Sequence, residues 1–495
     1  MKTYYITEKS IKISQLSNKE FNKNSLCPRD YRNLINVNQN RITFLDFIIS
    51  KEVWKEIGSD SYMKKSKYRF LKTVNISENY LLDEARVEYC KPENKVFPKK
   101  WDILIVKDWW WNWLWEVWYY NIDNENHYDS LSSWIIKVSL KQEKKFYILW
   151  LLKSNHFKTY IDLNTAQGST IRHSKKISLN YWITLPSINN HEAPEKIEKI
   201  VSLIVKNLLD KEEQIKRKNE IIDEKIEKEL KDNQKLGKQI YKFHRISEII
   251  KIWRLDTWLF NKKYKEVENL VLNYKNWYLE INKSDIKTWR TPKDYIYPKN
   301  SNHKNSYLWL TPKYIKWRQF TSYQYINTKI ETNLKEWDLI FTWIWTWSQW
   351  HMILYKQKDL WKIYINQNCY AIKSFWNDII NSFVLSFLSS KTNKIIIKYL
   401  TSSWSVPAIY PSYIKKIKIP NFEASKHEEI AKEYYNTVEK NTDLNFENYL
   451  EREKIRNKEL WIFQLSMEIF SLREILEDLV DKIIMDRKIK ISFDY

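Results

Sequence analysis

The feature that most restricts the fold is an internal repeat. The segment Trp101-Asp-Ile-Leu-Ile-Val106 returns as Trp337-Asp-Leu-Ile-Phe-Thr342. Each copy reads as a buried strand, and each runs into a tryptophan-dense stretch, residues 109–118 and 343–350. Sixty-seven residues beyond Trp101 stands Gly168-Ser169-Thr170, and the same distance beyond Trp337 stands Trp404-Ser405-Val406. Both copies then pass a basic pair, Lys175–Lys176 or Lys415–Lys416, on the way to an apolar strand end at Pro186 or Pro420. Their starts also match, Tyr68-Arg-Phe-Leu against Tyr307-Leu-Trp-Leu. A repeat of this length means two copies of one globular unit, and 495 residues is the length of two or three domains.

After each unit comes a helical pattern. From about Glu192 to Ile240, apolar residues fall at Ile197, Val201, Ile204, Leu208, Ile215, Ile222, Ile226 and Leu230, a heptad seam in a background of Lys and Glu. From about Lys426 to Ile483 a second region carries Leu460, Phe463, Met467, Phe470, Leu472, Leu476, Leu479 and Ile483, with a break expected at Asn441–Asn445. The expected division is 1–190 globular, 191–245 helix, 246–425 globular and 426–495 helix. The fold class is α+β: two similar mixed α/β domains separated by long helices.

Charge separates these parts. Residues 192–240 hold 12 basic and 12 acidic side chains, and residues 426–483 hold 9 and 14. With +22 overall, the rest of the chain carries +27. Positive charge concentrated on the globular units points to a polyanionic partner, and phosphate contacts dominate nucleic-acid affinity. No apolar run approaches the roughly 20 residues of a membrane span, and the N-terminus lacks the apolar core of a secretory signal. Cys27, Cys90 and Cys369 lie far apart with no CxxC, which supports neither a disulfide framework nor a cysteine zinc site. The expectation is a soluble cytoplasmic protein that does not act at a membrane.

The composition holds 26 Trp and 3 Gly, where about 7% Gly is usual. Trp cannot take over the positive-φ positions that glycine serves in tight turns. Gly168 pairs with Trp404 across the repeat. These facts suggest UGA codons that the cell reads as glycine and that are written here as Trp. The alternative is a Trp-rich binder with stacking platforms for sugars.

Catalytic signatures are missing. There is no Pro-Pro dipeptide of the kind found in amino-methylating DNA enzymes, and no P-loop even with Trp read as Gly. Residues 341–350, so read, resemble a glycine-rich cofactor loop, but His351-Met-Ile-Leu-Tyr355 looks like another strand, so a hairpin is expected. Glu224–Lys225 falls in the charged helix and reads as a solvated face rather than part of a nuclease site. The eight His are scattered, so no metal site and no cofactor are expected. Candidate DNA contacts are Ser169, Thr170, Arg172, His173, Lys175 and Lys176, the matching Ser403, Ser405, Tyr413, Lys415 and Lys416, and the separate Arg290 and Lys293. Ser, Thr and Lys suit phosphates, and Arg suits guanine edges.

The duplicated order of these motifs resembles the specificity subunit of a type I restriction-modification system. The residues that carry the resemblance are Trp101–Val106, Gln167–Thr170 with Ile183–Pro186, Trp337–Phe341, Ile365–Asn368, and Ser403–Ser405 with Ile417–Pro420. It covers roughly residues 60–483, and the first ~60 residues have no counterpart in it. The resemblance implies a non-catalytic subunit that binds double-stranded DNA. Each target recognition domain would read one half of a split target. The helices would pack as an antiparallel coiled-coil spacer and dock methyltransferase (modification) subunits, and a restriction motor-nuclease subunit would join the complex. The rival readings are the recognition part of a single-chain methyltransferase/nuclease, or a Trp-rich protein that binds no DNA.

Overall fold

The structure is a computed structural model. It describes residues 6–8, 32–34, 37–53, 56–75, 87–91, 97–110, 116–121, 128–141, 144–165, 171–174, 177–235, 262–281, 285–288, 306–321, 324–328, 334–343, 351–356, 362–373, 377–400, 408–435 and 438–491. The chain forms two compact units, each mixed α+β. The N-terminal unit gathers Lys2–Glu213, Asn441–Ile455 and Ser471–Tyr495, and the central unit gathers Gln214–Lys440 and Arg456–Phe470.

The helices are α1 (Lys145–Lys153), α2 (Asn155–Asn164), α3 (Pro194–Asp232), α4 (Lys262–Leu272), α5 (Asp378–Leu388), α6 (Lys391–Leu400), α7 (Pro411–Ile414), α8 (Ala424–Tyr434), α9 (Tyr449–Glu459) and α10 (Ile462–Ile484).

In the N-terminal unit, an antiparallel sheet runs in the order Val117–Tyr119, Ile103–Val106, Ile135–Leu140, Ile48–Val53. Beside it in sequence is a second sheet, in which Tyr128–Leu131 lies parallel to Tyr68–Leu71. The central unit repeats the plan. Its antiparallel sheet runs Met352–Leu354, Leu339–Thr342, Cys369–Ile372, Ile286–Thr288. In its second sheet, Ile363–Ile365 lies parallel to Ser306–Leu310. A helix pair follows in each. Ser154 Oγ accepts from the Phe157 amide at the start of α2, and Ser390 Oγ accepts from the Asn393 amide at the start of α6. Such caps satisfy amides that the first turn leaves without partners. Leu339–Thr342 and Met352–Leu354 are antiparallel neighbours, as expected for a hairpin, and residues 344–350 between them lie outside the described set.

The repeated Trp-Asp dipeptide makes the same turn twice. The Asp102 amide donates to Lys99 O at 3.0 Å, the Lys99 amide to Asp102 Oδ2 at 2.7 Å, and the Trp101 amide to Tyr120 O at 2.7 Å. The matching bonds are Asp338 N to Lys335 O at 3.0 Å, Lys335 N to Asp338 Oδ2 at 2.9 Å, and Trp337 N to Tyr355 O at 2.7 Å. The aspartates are buried turn staples. Trp101 and Trp337 have φ of 82° and 72°. Trp317, in the two-residue loop between Ile315–Lys316 and Gln319–Phe320, has φ of 54°. These are left-handed positions where a Cβ clashes and glycine is favoured. The other two non-glycine residues with positive φ among those described are aspartates, Asp443 and Asp486, a type that tolerates it.

All eight seam residues expected on the first long helix are buried on α3. At about 1.5–3 kcal/mol for each fully buried large aliphatic side chain, this seam rather than intrinsic propensity holds the helix. α3 has 39 residues, about 58 Å at 1.5 Å per residue. It ends at Asp232, short of Ile240, and residues 236–245 lie outside the described set. Its residues 194–213 belong to the N-terminal unit and 214–232 to the central one.

The second helical region is not one helix. It is α8, α9 and α10, and Asn441–Asn445 falls between α8 and α9. The seam assigned to α10 also needs correction. Met467 and Phe470 are only half-buried, while Ile462, Leu465 and Ile469 are buried. α10 buries two faces in its first half, so a single stripe underestimates its contacts.

Lysines on α3 at seven-residue intervals meet acids of the C-terminal helices. Lys211 pairs with Glu453 at 3.2 Å, Lys218 with Glu433 at 3.3 Å, and Lys225 with Glu433 at 3.1 Å. Lys225 is therefore half-buried and paired, not part of a fully solvated face. Arg318, almost wholly buried, donates to Asn219 Oδ1 at 2.6 Å, Asp223 Oδ1 at 2.8 Å and Ser386 O at 2.9 Å. It ties α3 and α5 to the hairpin inside the central unit. Among the described residues no helix is long and apolar enough to cross a membrane.

Candidate nucleic-acid interface

Of the candidate contacts, Tyr413, Lys415 and Lys416 are brought together. Pro411 opens α7 at the position where its missing amide costs nothing. Ile414, Ile417 and Ile419 are buried and anchor this short turn to the core. The polar residues between them are left outside: Lys415 and Lys416 are exposed, and Tyr410 is 47% exposed. Lys416 Nζ lies 5.2 Å from the Tyr413 ring centroid, and the rings of Tyr410 and Tyr413 are 6.5 Å apart. Trp343 continues the arc, 6.1 Å from Tyr410 and stacked on Tyr370 at 5.1 Å. The Trp343 indole donates to Gln367 O at 3.0 Å, and its carbonyl accepts from the Ile409 amide at 2.9 Å. Burial pushes the Tyr370 phenol well above its ordinary range. The arc is a row of aromatic rings ending in two ammonium groups with no carboxylate partner among the described residues. Such a surface suits phosphates beside sugar or base faces.

The N-terminal unit shows the backbone of the equivalent place. Ile171–His173 pairs antiparallel with Asp108–Trp110, with Arg172 opposite Trp109 and His173 opposite Asp108. Ser174 is buried, and its amide donates to Lys107 O at 2.7 Å, the counterpart of Ile409 to Trp343. Ser169, Thr170, Lys175, Lys176, Arg290, Lys293, Ser403 and Ser405 lie outside the described residues, as do the side chains of Arg172 and His173.

Sequence reasoning passed over Trp343 and Tyr410. A Tyr-x-x-Tyr spacing around Pro411 was the available signal, but only the fold brings Trp343 next to it. Cys90 and Cys369 are buried thiols, and burial pushes Cys90 up to about 11, the reverse of an activated nucleophile. Among the described residues no group of three or more His, Cys, Asp or Glu is placed to hold a metal ion.

No protein-family model matches the chain, and no curated protein does. Solved structures similar to it include the following two. One is the S subunit of a type I restriction-modification system from M. genitalium, with a TM-score of 0.35 and 12% identity over 92% of this chain and 98% of that one. The other comes from work on complex assembly and conformational transition of the type I R-M system, with a TM-score of 0.27 and 10% identity over 91% of this chain and 99% of that one. At these scores the functional reading rests on the chain's own residues.

Proposed function

We propose that this chain is a non-catalytic DNA-recognition subunit of the type I restriction-modification kind. The observation that carries the proposal is the duplication. Two units share one strand order and one buried Trp-Asp turn, and nearly all the positive charge falls outside the neutral and acidic helical segments. Two similar cationic bodies on one chain suit a two-part duplex target, each body reading one half through major-groove edges and phosphates.

In this reading residues 1–190 and 246–425 are the recognition domains, and residues 191–245 and 426–495 supply an antiparallel helical spacer. Ser169, Thr170, Arg172, His173, Lys175 and Lys176 serve one half-site. Ser403, Ser405, Tyr413, Lys415 and Lys416, with Arg290 and Lys293, serve the other. Methyltransferase subunits dock on the helices and bring the chemistry, a motor-nuclease subunit joins them, and the complex works in the cytoplasm. The left-handed Trp101, Trp317 and Trp337 support the view that these codons are read as glycine in the cell. Peptide mass spectrometry of the protein from its native host tests that, and intact Trp at position 101 would refute it.

The test of function is selection of bound duplexes from a random pool, with a modification subunit present. Two short conserved blocks at fixed separation are expected. One contiguous block, or none, overturns the proposal. Methyl transfer by the isolated chain would instead favour a single-chain enzyme.

A further inference from the structure

The small sheet of the N-terminal unit presents a basic and aromatic face that neither the fold nor the reading residues use. Side chains alternate across a strand, so Tyr68 and Arg69 point to opposite faces. Arg69 turns inward and is held bidentate by Asp129 at 2.6 and 2.8 Å, with the Tyr120 hydroxyl donating to the same carboxylate at 2.6 Å. On the other face Tyr128 stands in register with Tyr68. The rings of Tyr68, Phe97 and Tyr128 form a triangle with sides of 5.0 to 5.8 Å. Tyr128 is 43% exposed. Lys67 Nζ sits over two of these rings, 5.2 Å from Tyr68 and 5.7 Å from Tyr128. Lys64, Lys65 and Lys67 are all exposed, and none meets a carboxylate among the described residues. Ser66 Oγ accepts from the Tyr68 amide at 3.1 Å and fixes the turn that carries them.

The matching sheet of the central unit differs among its described residues. Tyr307, Trp309, Ile326 and Tyr364 form a buried cluster there.

We infer that Lys64, Lys65 and Lys67, with Tyr128 and Tyr68, form a clamp for the phosphate backbone of double-stranded DNA. The lysines take phosphates, and the rings pack on the adjoining sugars. Ammonium groups and ring faces read no donor–acceptor pattern, so the clamp adds affinity without specificity. This inference rests on the DNA-binding reading above.

The test compares salt titrations of a mixed-sequence duplex bound by the full chain, its Lys64→Ala/Lys65→Ala/Lys67→Ala variant and its Tyr128→Ala variant. Each lysine that neutralises a phosphate adds about 0.9 to the log–log salt slope. The triple variant is expected to lose about 2 to 3 from that slope. Tyr128→Ala is expected to weaken binding several-fold on every sequence with the slope kept. Lys454→Ala/Lys458→Ala, on the exposed side of α9, is the control and leaves both unchanged. If the parent chain binds duplex and the triple variant keeps its slope, the clamp is wrong while the DNA-binding reading stands. If the parent chain binds no duplex, or binds only anionic lipid vesicles, both fall.

Discussion

Trp101 and Trp337 allow a test in which the usual order of two small residues is inverted. In ordinary backbone, Gly is less stable than Ala by roughly 0.5–1 kcal/mol, because it has more freedom to lose. At φ of 82° and 72° the Cβ of any L residue is strained, by about 1–2 kcal/mol in the left-handed region. Replacing Trp101 by Gly or by Ala removes the same ring, with its contacts to Tyr119 at 4.6 Å and Phe146 at 5.6 Å. The loss of packing is therefore common to both variants. What differs is the strain, which only Gly relieves. Trp101→Gly should be more stable than Trp101→Ala by about 1 kcal/mol, and the pair at position 337 should behave alike. The two turns lie in different units, so the effects should add. Urea unfolding followed by circular dichroism measures the differences. An Ala variant as stable as its Gly partner, at either position, would refute the strain argument.

Three further outcomes are expected. Burial holds the imidazole of His156 down to about 3 and that of His427 to about 4, against about 6.5 unfolded. The unfolded chain therefore binds more protons below pH 6.5, and stability falls as pH drops from there toward the folded values. At pH 5 the loss is about 2 kcal/mol per histidine, and urea midpoints at pH 7 and 5 should converge in His156→Gln and His427→Gln. Asp102→Ala removes the acceptor for the Lys99 amide at 2.7 Å and the Ser139 hydroxyl at 2.6 Å. It should destabilise the N-terminal unit by about 2–4 kcal/mol, and an unchanged urea midpoint would show that the staple is dispensable. Deleting two heptads between Leu208 and Leu230 shortens α3 by about 21 Å. If the helix sets half-site spacing, the gap in selected duplexes should shrink by about six base pairs at 3.4 Å each, and an unchanged gap refutes the spacer role.

Much of this architecture is legible in the chain because burial leaves periodic marks. The strands after Trp101 and Trp337 are unbroken apolar runs, and runs of that kind have few alternatives to a buried strand. The α3 seam recurs at helical spacing, so its eight buried positions follow from pattern alone. The duplication is visible because both copies repeat the Trp-Asp strand start and, 67 residues after its Trp, the Gly168 or Trp404 position. What the chain by itself could not decide depends on contacts remote in sequence. The charges on α3 look like a solvated face until Glu433 and Glu453 arrive from more than 200 positions away. The C-terminal region reads as one interrupted helix because its breaks at 438–448 and 460–461 carry no Pro or Gly to announce them. Trp343 and Tyr410 meet only in the folded chain, and Arg69 and Lys67 look equally basic until the fold brings Asp129 to the one inside the strand and leaves the other exposed in the turn before it. Periodicity records which face of an element is buried, and only the tertiary structure determines which partner it meets there.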